Sequence, residues 1–203
     1  MDQVMALGGL AVLVAVAILS AIGYRVMIDV RPEVTRPVVD PAARTEIEAL
    51  RARLMRHVRV LAGEIGERNV FRPQGLKAAA DYIRAVWTAQ GYSVAEEVSQ
   101  VAGQRSVNLI IEQSGSRRPG EIVLVGAHYD SLIGTSGAND NATGVAVLLE
   151  MSAILKQASL ARTLRFVAFV NEEHPWFHTE QMGSRTHART ARRRGDPIVA
   201  MVS

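Results

Sequence analysis

Three short polar motifs in this chain of 203 residues carry side chains that could bind a metal ion. The first is GAHYDS, residues 126–131, in which an apolar run ends in His128 and Asp130. Residues two apart in an extended segment point in the same direction, so Asp130 could accept a hydrogen bond from His128 and orient its ring. Alone, the pair is weak evidence, because a histidine at a strand end is more often a hydrogen-bonded structural residue.

The second and third motifs supply further carboxylates. SGANDNATG, residues 136–144, contains one acid, Asp140, directly before a helical pattern, where it could also serve as a helix cap. VNEEHPWF, residues 170–177, places Glu172 and Glu173 side by side at the end of an apolar run. Adjacent like charges repel one another, and a bound cation would relieve that repulsion in a buried site.

These motifs together offer one imidazole and several carboxylates. Such nitrogen and oxygen ligands suit catalytic zinc or a related divalent ion. The chain contains no cysteine, which excludes thiolate ligands and disulfide bonds. A glutamate that does not itself bind the metal, beside one that does, could take a proton from an activated water molecule.

The apolar pattern predicts the elements that position these motifs. Two amphipathic helices, an apolar strand before each of the first and third motifs, and a helix after the second indicate an α/β fold. Because the later strands are apolar on both faces, we expect a three-layer α/β/α sandwich with a mostly parallel or mixed sheet. The strands are expected at residues 92–95, 106–112, 122–125, 164–170 and 198–202, and the motifs lie at strand ends, where functional residues of such sheets gather.

The ordered set GAHYDS, GANDNATG, a strand ending in NEE, and MGSRTHA at residues 182–188 resembles metallopeptidase family 28. That family includes bacterial leucyl aminopeptidases, aminopeptidase Y and the glutamate carboxypeptidase group. The similarity runs from about Val58 to Ser203 and is strongest between Val123 and Ala188. The resemblance implies a zinc-dependent exopeptidase, most simply an aminopeptidase that acts on peptides.

The resemblance also implies a role for each site residue. His128 matches a ligand of one zinc ion, Glu173 a ligand of a second, and Asp140 the carboxylate that bridges them. Asp130 matches the acid that orients the histidine, and Glu172 matches the general base. Two such zinc ions would activate a shared water molecule and polarise the scissile carbonyl. Residues 182–184, MGS, match a packing motif of the family.

Two further ligands of the family, an acid shortly after the strand that begins at Ile198 and a later histidine, have no match before Ser203. We therefore expect residues 44–203 to be a partial exopeptidase domain that is inactive by itself. The alternatives are an enzyme similar to glutaminyl cyclases, which use one zinc ion, a non-catalytic receptor-like domain of the same fold, and a tethered fragment without activity. A formal charge of +3 and a single basic run, residues 192–194, do not indicate a nucleic-acid partner.

The N-terminal segment predicts a membrane anchor. Residues 4–24 are uncharged and apolar or small, and roughly 20 such residues can cross a bilayer as a helix. We expect an anchor over residues 1–27 and a proline-containing linker over residues 28–43, with a signal peptide or a buried helix as alternatives. Arginines after the anchor favour a cytoplasmic domain, whereas the resemblance favours a periplasmic or extracellular one.

Overall fold

A computed structural model of the chain describes residues 13–23 and 41–203. The chain divides into two units, residues 1–41 and residues 42–203. In the first unit, residues 13–23 form helix α1, and the rest of the expected membrane anchor lies outside the described residues. Within the two described ranges, none of the helices combines the length and the apolar character that a bilayer-crossing segment needs.

The second unit contains four helices and five strands among its described residues. Helix α2 continues into a π-helical turn at Arg59–Ile65, and a short kinked turn at Ala138–Ala142 precedes helix α4. The elements follow in the order α2 (Pro41–Val58), α3 (Pro73–Ala89), β1 (Ala95–Val101), β2 (Gln104–Gln113), β3 (Arg118–His128), α4 (Thr143–Leu155), β4 (Arg162–Phe169), α5 (Gly183–Arg194) and β5 (Ile198–Val202).

The strands form one mixed sheet in the order β1-β2-β4-β3-β5. The pairs β1–β2 and β2–β4 are antiparallel, whereas β3 lies parallel to both β4 and β5. The prediction of an α/β domain with a mixed sheet is therefore confirmed. In the β3–β4 register His128 lies opposite Phe169, so the segments that follow both strands start at the same edge of the sheet.

Side chains of β4 alternate between the two faces of the sheet. Phe166 and Ala168 belong to the main core, which also contains Trp87 of α3 and Leu149 of α4. Val167 and Phe169 belong to a smaller apolar cluster on the opposite face. On that face the ring of His187, in α5, meets Phe169 edge-on with ring centroids 6.0 Å apart. Helices thus lie against both faces of the sheet, as expected for the layered fold.

Strand β1 differs from its predicted position. We expected a strand at residues 92–95, but β1 begins only at Ala95 and ends at Val101. It is an edge strand with mostly exposed or half-exposed positions, and such strands do not need an apolar run. Its hairpin turns at Ala102 and Gly103, both with positive φ, as tight turns between antiparallel strands require.

Candidate metal centre

The three polar motifs converge at the carboxyl ends of β3 and β4. His128 is the last residue of β3, and Glu172 and Glu173 follow closely after the end of β4. Asp140 lies in the kinked turn before α4, where its own backbone is not helical (φ −119°, ψ 93°). Because β3 and β4 run parallel, their ends bring the first and third motifs together, and the turn before α4 adds the second.

Three of the predicted residues form a compact ligand cluster. Nε2 of His128 lies 2.9 Å from Oδ1 of Asp140. One potential ligand atom from each of His128, Asp140 and Glu173 lies within 4.8 Å of the others. The side chain of Asp140 is 72% exposed and that of His128 is 18% exposed, so the cluster opens to solvent on the side of Asp140. The spacing and the donor types fit one divalent cation such as zinc.

The electrostatic field of the cluster favours positive charge. Burial alone would lower the pKa of His128, but the hydrogen bond and charge of Asp130, together with Asp140, raise it to about 9. Burial, and then the charge of Asp140, raise the pKa of Glu173. Carboxylates crowded in a half-buried site destabilise one another unless a cation lies between them. The chemistry of the site residues therefore agrees with metal binding.

Asp130 connects the histidine to the loop after β4. Its side chain is 2% exposed, and its Oδ2 accepts a hydrogen bond of 3.1 Å from the backbone N–H of Glu173. Its Oδ1 lies 3.5 Å from Nδ1 of His128, at the outer limit of hydrogen bonding. Within the described part of the chain, neither of these two buried atoms has another partner. Asp130 thus lies between the ring of His128 and the backbone of the loop after β4.

Glu172 lies beside the cluster and is held by helix α5. The backbone N–H of Ser184 donates to Oε1 at 2.7 Å, and the Ser184 hydroxyl donates to Oε2 at 2.8 Å. Burial raises the pKa of Glu172, while both bonds from Ser184 oppose that rise. Sequence reasoning assigned Ser184 to a packing motif and missed this contact. The available signal was a serine at the start of a helix, where side chains and free N–H groups commonly bind acids.

Comparison with known proteins identifies the family. Residues 108–203 match peptidase family M28, and this range holds all five predicted site residues. We call these matched residues, 108–203, the M28 domain. The prediction of the family from the motifs is therefore confirmed.

Several relatives of this M28 domain are known. YfbL, an uncharacterized protein of Escherichia coli (strain K12), is 31% identical over 176 residues, which cover 83% of this chain and 53% of YfbL. Aminopeptidase YwaD of Bacillus subtilis (strain 168) is 44% identical over 71 residues, 34% of this chain and 16% of YwaD. The chain spans about half the length of YfbL and a smaller share of YwaD.

Solved structures share the fold. A glutaminyl cyclase from an Acidobacteriales bacterium has a TM-score of 0.63 at 22% identity, with 74% of this chain and 56% of that chain covered. At this identity the likeness concerns the fold alone. A Bacteroides vulgatus protein, provisionally described as a zinc-dependent exopeptidase, has a TM-score of 0.53 at 25% identity, with 68% of this chain and 53% of that chain covered.

In this M28 domain, Gly183 packs where no side chain would fit. A Cβ atom there would lie 2.2 Å from Oδ1 of Asn108 and 2.5 Å from the carbonyl oxygen of Val170. The Asn108 amide donates to the carbonyl of Gly183 at 2.8 Å and accepts from the N–H of Val170 at 3.1 Å. Asn108 therefore joins β2, the end of β4 and α5, and fixes the start of the helix that carries Ser184.

The ligand cluster of the M28 domain lies in a cleft of about 510 Å³. His174 and Phe177, from the loop after β4, line the cleft together with Met201 of β5. The rings of His174 and Phe177 meet edge-on, with centroids 5.5 Å apart. His174 is exposed to solvent in this cleft.

Proposed function

We propose that the protein, in its complete natural length, is a zinc-dependent exopeptidase of the aminopeptidase type. The proposal is carried by the convergence of His128, Asp140 and Glu173 within 4.8 Å of one another. The match of residues 108–203 to family M28 and the resemblance to proteins named aminopeptidase support it. The substrate class that we propose is a peptide with a free N-terminus.

We propose that zinc is held by His128, Asp140 and Glu173, with Asp130 orienting the histidine. Zinc bound there would polarise a substrate carbonyl and lower the pKa of a water molecule. We further propose that a complete site holds two ions and that Asp140 is the shared ligand. The high exposure of Asp140 supports this role, because one face of its carboxylate stays accessible.

Glu172 is the residue that we propose to move protons. Burial raises its pKa toward the range in which a carboxylate accepts and then releases a proton near neutral pH. Ser184 binds both carboxylate oxygens and thereby restricts the rotation of the side chain. In this role Glu172 accepts a proton from the attacking water molecule and delivers it to the departing amine.

Hydrolysis of aminoacyl p-nitroanilides by the protein expressed from its complete coding sequence tests this function. We expect zinc-dependent activity that a chelator removes and that added zinc restores. Glu172→Gln should lower kcat by about 10²–10⁴-fold while the zinc content stays unchanged. Glu180→Gln is the matched control, because Glu180 lies on the same loop and its exposed carboxylate pairs with arginines of α5. Full activity of Glu172→Gln would refute the assignment.

A glutaminyl-cyclase-like enzyme is the second candidate. Its support is that one three-ligand cluster could hold a single ion, as our sequence analysis expects of such cyclases. The same purified protein should then cyclise an N-terminal glutaminyl peptide and leave aminoacyl p-nitroanilides intact. Elemental analysis separates the two candidates further, since we expect two zinc ions per chain for the peptidase and one for the cyclase. A zinc-free protein with neither activity would instead support a non-catalytic domain.

We also propose that residues 1–27 anchor the protein in a membrane as a single span, with the M28 domain on the outer side. The uncharged, apolar composition of residues 4–24 supports the span. Membrane fractionation tests the anchor, and a reporter that is active only outside the cytoplasm, fused after Ser203, tests the orientation. Recovery of the protein in the soluble fraction would refute the anchor.

A further inference from the structure

A buried arginine lies behind the metal cluster. Arg68 is 0% exposed, and it lies between the π-helical turn and α3. Its guanidinium group donates hydrogen bonds to backbone carbonyl oxygens and contacts no carboxylate oxygen within the described residues. The acceptors are the carbonyls of Leu61, Gly66, Tyr129, Ser136 and Gly137.

Three of these five carbonyls belong to the loop that joins His128 to Asp140. Nε of Arg68 donates to Tyr129 at 2.6 Å, directly between His128 and Asp130 in the chain. Nη2 donates to Gly137 at 2.8 Å, three residues before Asp140. One planar, rigid group therefore holds both ends of the loop over residues 129–137.

The backbone of Arg68 also binds Ser131, near the start of the same loop. Its N–H donates to the hydroxyl of Ser131 at 3.1 Å, and its carbonyl accepts from the N–H of Ser131 at 2.9 Å. The neighbouring Asn69 amide donates to the carbonyl of Ser131 at 3.2 Å. The loop is thus bound near its start and at its end by Arg68 and Asn69.

Burial of an uncompensated cation is costly, so a fully buried arginine needs strong partners. The carbonyl dipoles are one kind of compensation, and the charge of buried Asp130 is another. Burial lowers the pKa of Arg68 to about 10, with Asp130 opposing that effect, and the group stays charged at neutral pH. The charge of Asp130 therefore favours the buried cation of Arg68.

We propose that Arg68 is a positioning residue that fixes the separation of His128 and Asp140 and thereby sets the affinity of the site for zinc. This inference rests on the proposed zinc site. Arg68 acts through the backbone of the loop and does not touch a ligand side chain. Lysine has three N–H donors, so Arg68→Lys can satisfy at most three of the five carbonyls, and Arg68→Met satisfies none.

The experiment compares two buried arginines in the full-length protein. Arg165 is the matched control, because it is 7% exposed and binds Glu112 and Asp196, both at 2.6 Å, instead of the metal-site loop. Lysine and methionine are introduced at each position. The zinc Kd is measured by competition with a chelator, and the thermal midpoint is measured in EDTA.

All four variants should have a lower thermal midpoint in EDTA, because each loses buried hydrogen bonds. Only the Arg68 variants should bind zinc more weakly, by about 10–100-fold, with the methionine variant the weaker binder. Arg68 variants that bind zinc like the wild type, with only a lower midpoint, would overturn the inference. So would an equal loss of zinc affinity in the Arg165 variants.

If neither Arg68 variant folds, Ser131→Ala tests the inference about Arg68 instead. This change removes the hydroxyl that accepts from the N–H of Arg68 and donates to the carbonyl of Thr135 at 3.0 Å. A folded Ser131→Ala protein with a raised zinc Kd supports the inference about Arg68, and an unchanged Kd overturns it. A wild-type protein that binds zinc tightly but cleaves no peptide would refute the proposed function and leave the inference about Arg68 standing.

Discussion

A cluster of buried polar groups attaches helix α2 to α4, and one isosteric change tests how much this cluster contributes to the stability of the domain. Glu150 of α4 is 7% exposed, and its carboxylate accepts from Nε of Arg53 at 2.7 Å and contacts Nε2 of His57 at 3.1 Å. Nδ1 of His57 lies 2.6 Å from the hydroxyl of Tyr82 in α3. Glu150→Gln keeps the shape of the side chain and removes its charge.

The size of the effect follows from the exposure of the two partners. A buried hydrogen bond to a charged group contributes about 1.5–3 kcal/mol to the free energy of unfolding. His57 is buried and contributes in that range, whereas Arg53 is 41% exposed and contributes less because water screens it. The glutamine side chain also turns an N–H₂ group toward Arg53 or His57, where the glutamate has an oxygen that accepts a hydrogen bond. We therefore expect a loss of about 2–3 kcal/mol, or roughly 4–12 °C in Tm for a domain of this size.

Thermal unfolding followed by circular dichroism at pH 7.5 measures the change. Glu48→Gln is the control, because Glu48 and Arg51 form a 3.4 Å pair on α2 with side chains 63% and 73% exposed. Such surface pairs contribute little, so the control should shift Tm by no more than about 1–2 °C. If Glu150→Gln shifts Tm no more than Glu48→Gln does, the cluster does not stabilise the domain and the reasoning is wrong.

Further predictions concern acid stability, packing and the site. Burial lowers the pKa of His57 below its ordinary 6.5, so its stabilising contribution is present above pH 6.5 and is lost as the pH falls through the pKa of the folded state. His57→Gln should therefore reduce the difference in Tm between pH 7.5 and pH 5.5. An unchanged difference would contradict this. Gly183→Ala should cost about 1–3 kcal/mol in denaturant unfolding, because the new Cβ would lie 2.2 Å from Oδ1 of Asn108. Gly63→Ala, where the nearest atom would be 3.7 Å away, should cost much less, and equal costs would count against the packing argument. Ser184→Ala removes one hydrogen bond to the proposed general base and should lower kcat about tenfold at unchanged zinc affinity. Ser184→Thr keeps the hydroxyl and should restore the activity. A change in kcat below about twofold for Ser184→Ala would indicate that the hydroxyl has no positioning role.

Sequence reasoning succeeded where function depends on a local motif. The apolar runs before His128 and Glu172 predicted strands β3 and β4 within a few residues of their observed ends. What no local pattern contains is the register that sets His128 opposite Phe169, because it depends on pairing between distant segments. The motifs therefore identified the residues, and only the folded sheet gives the distances between them.

Residues that act over long sequence distances were missed. Arg68 lies in a short connection without any motif, and its partners at Tyr129 and Gly137 are more than 60 residues away. His57 lies in the amphipathic helix α2 and is buried against α3 and α4. In both cases the side chain is polar and the pattern of apolar residues gives no sign of burial.

The parallel pairing of β3 with β4 also has a consequence for folding. A parallel pair needs a long crossover, here through α4, and such distant contacts are slow to form because the chain entropy is lost first. His128 and Glu173 can approach each other only after that crossover has closed. Zinc should consequently bind tightly only to chains in which the sheet is complete. Saturating zinc should therefore shift the equilibrium between unfolded and folded chains toward the folded state.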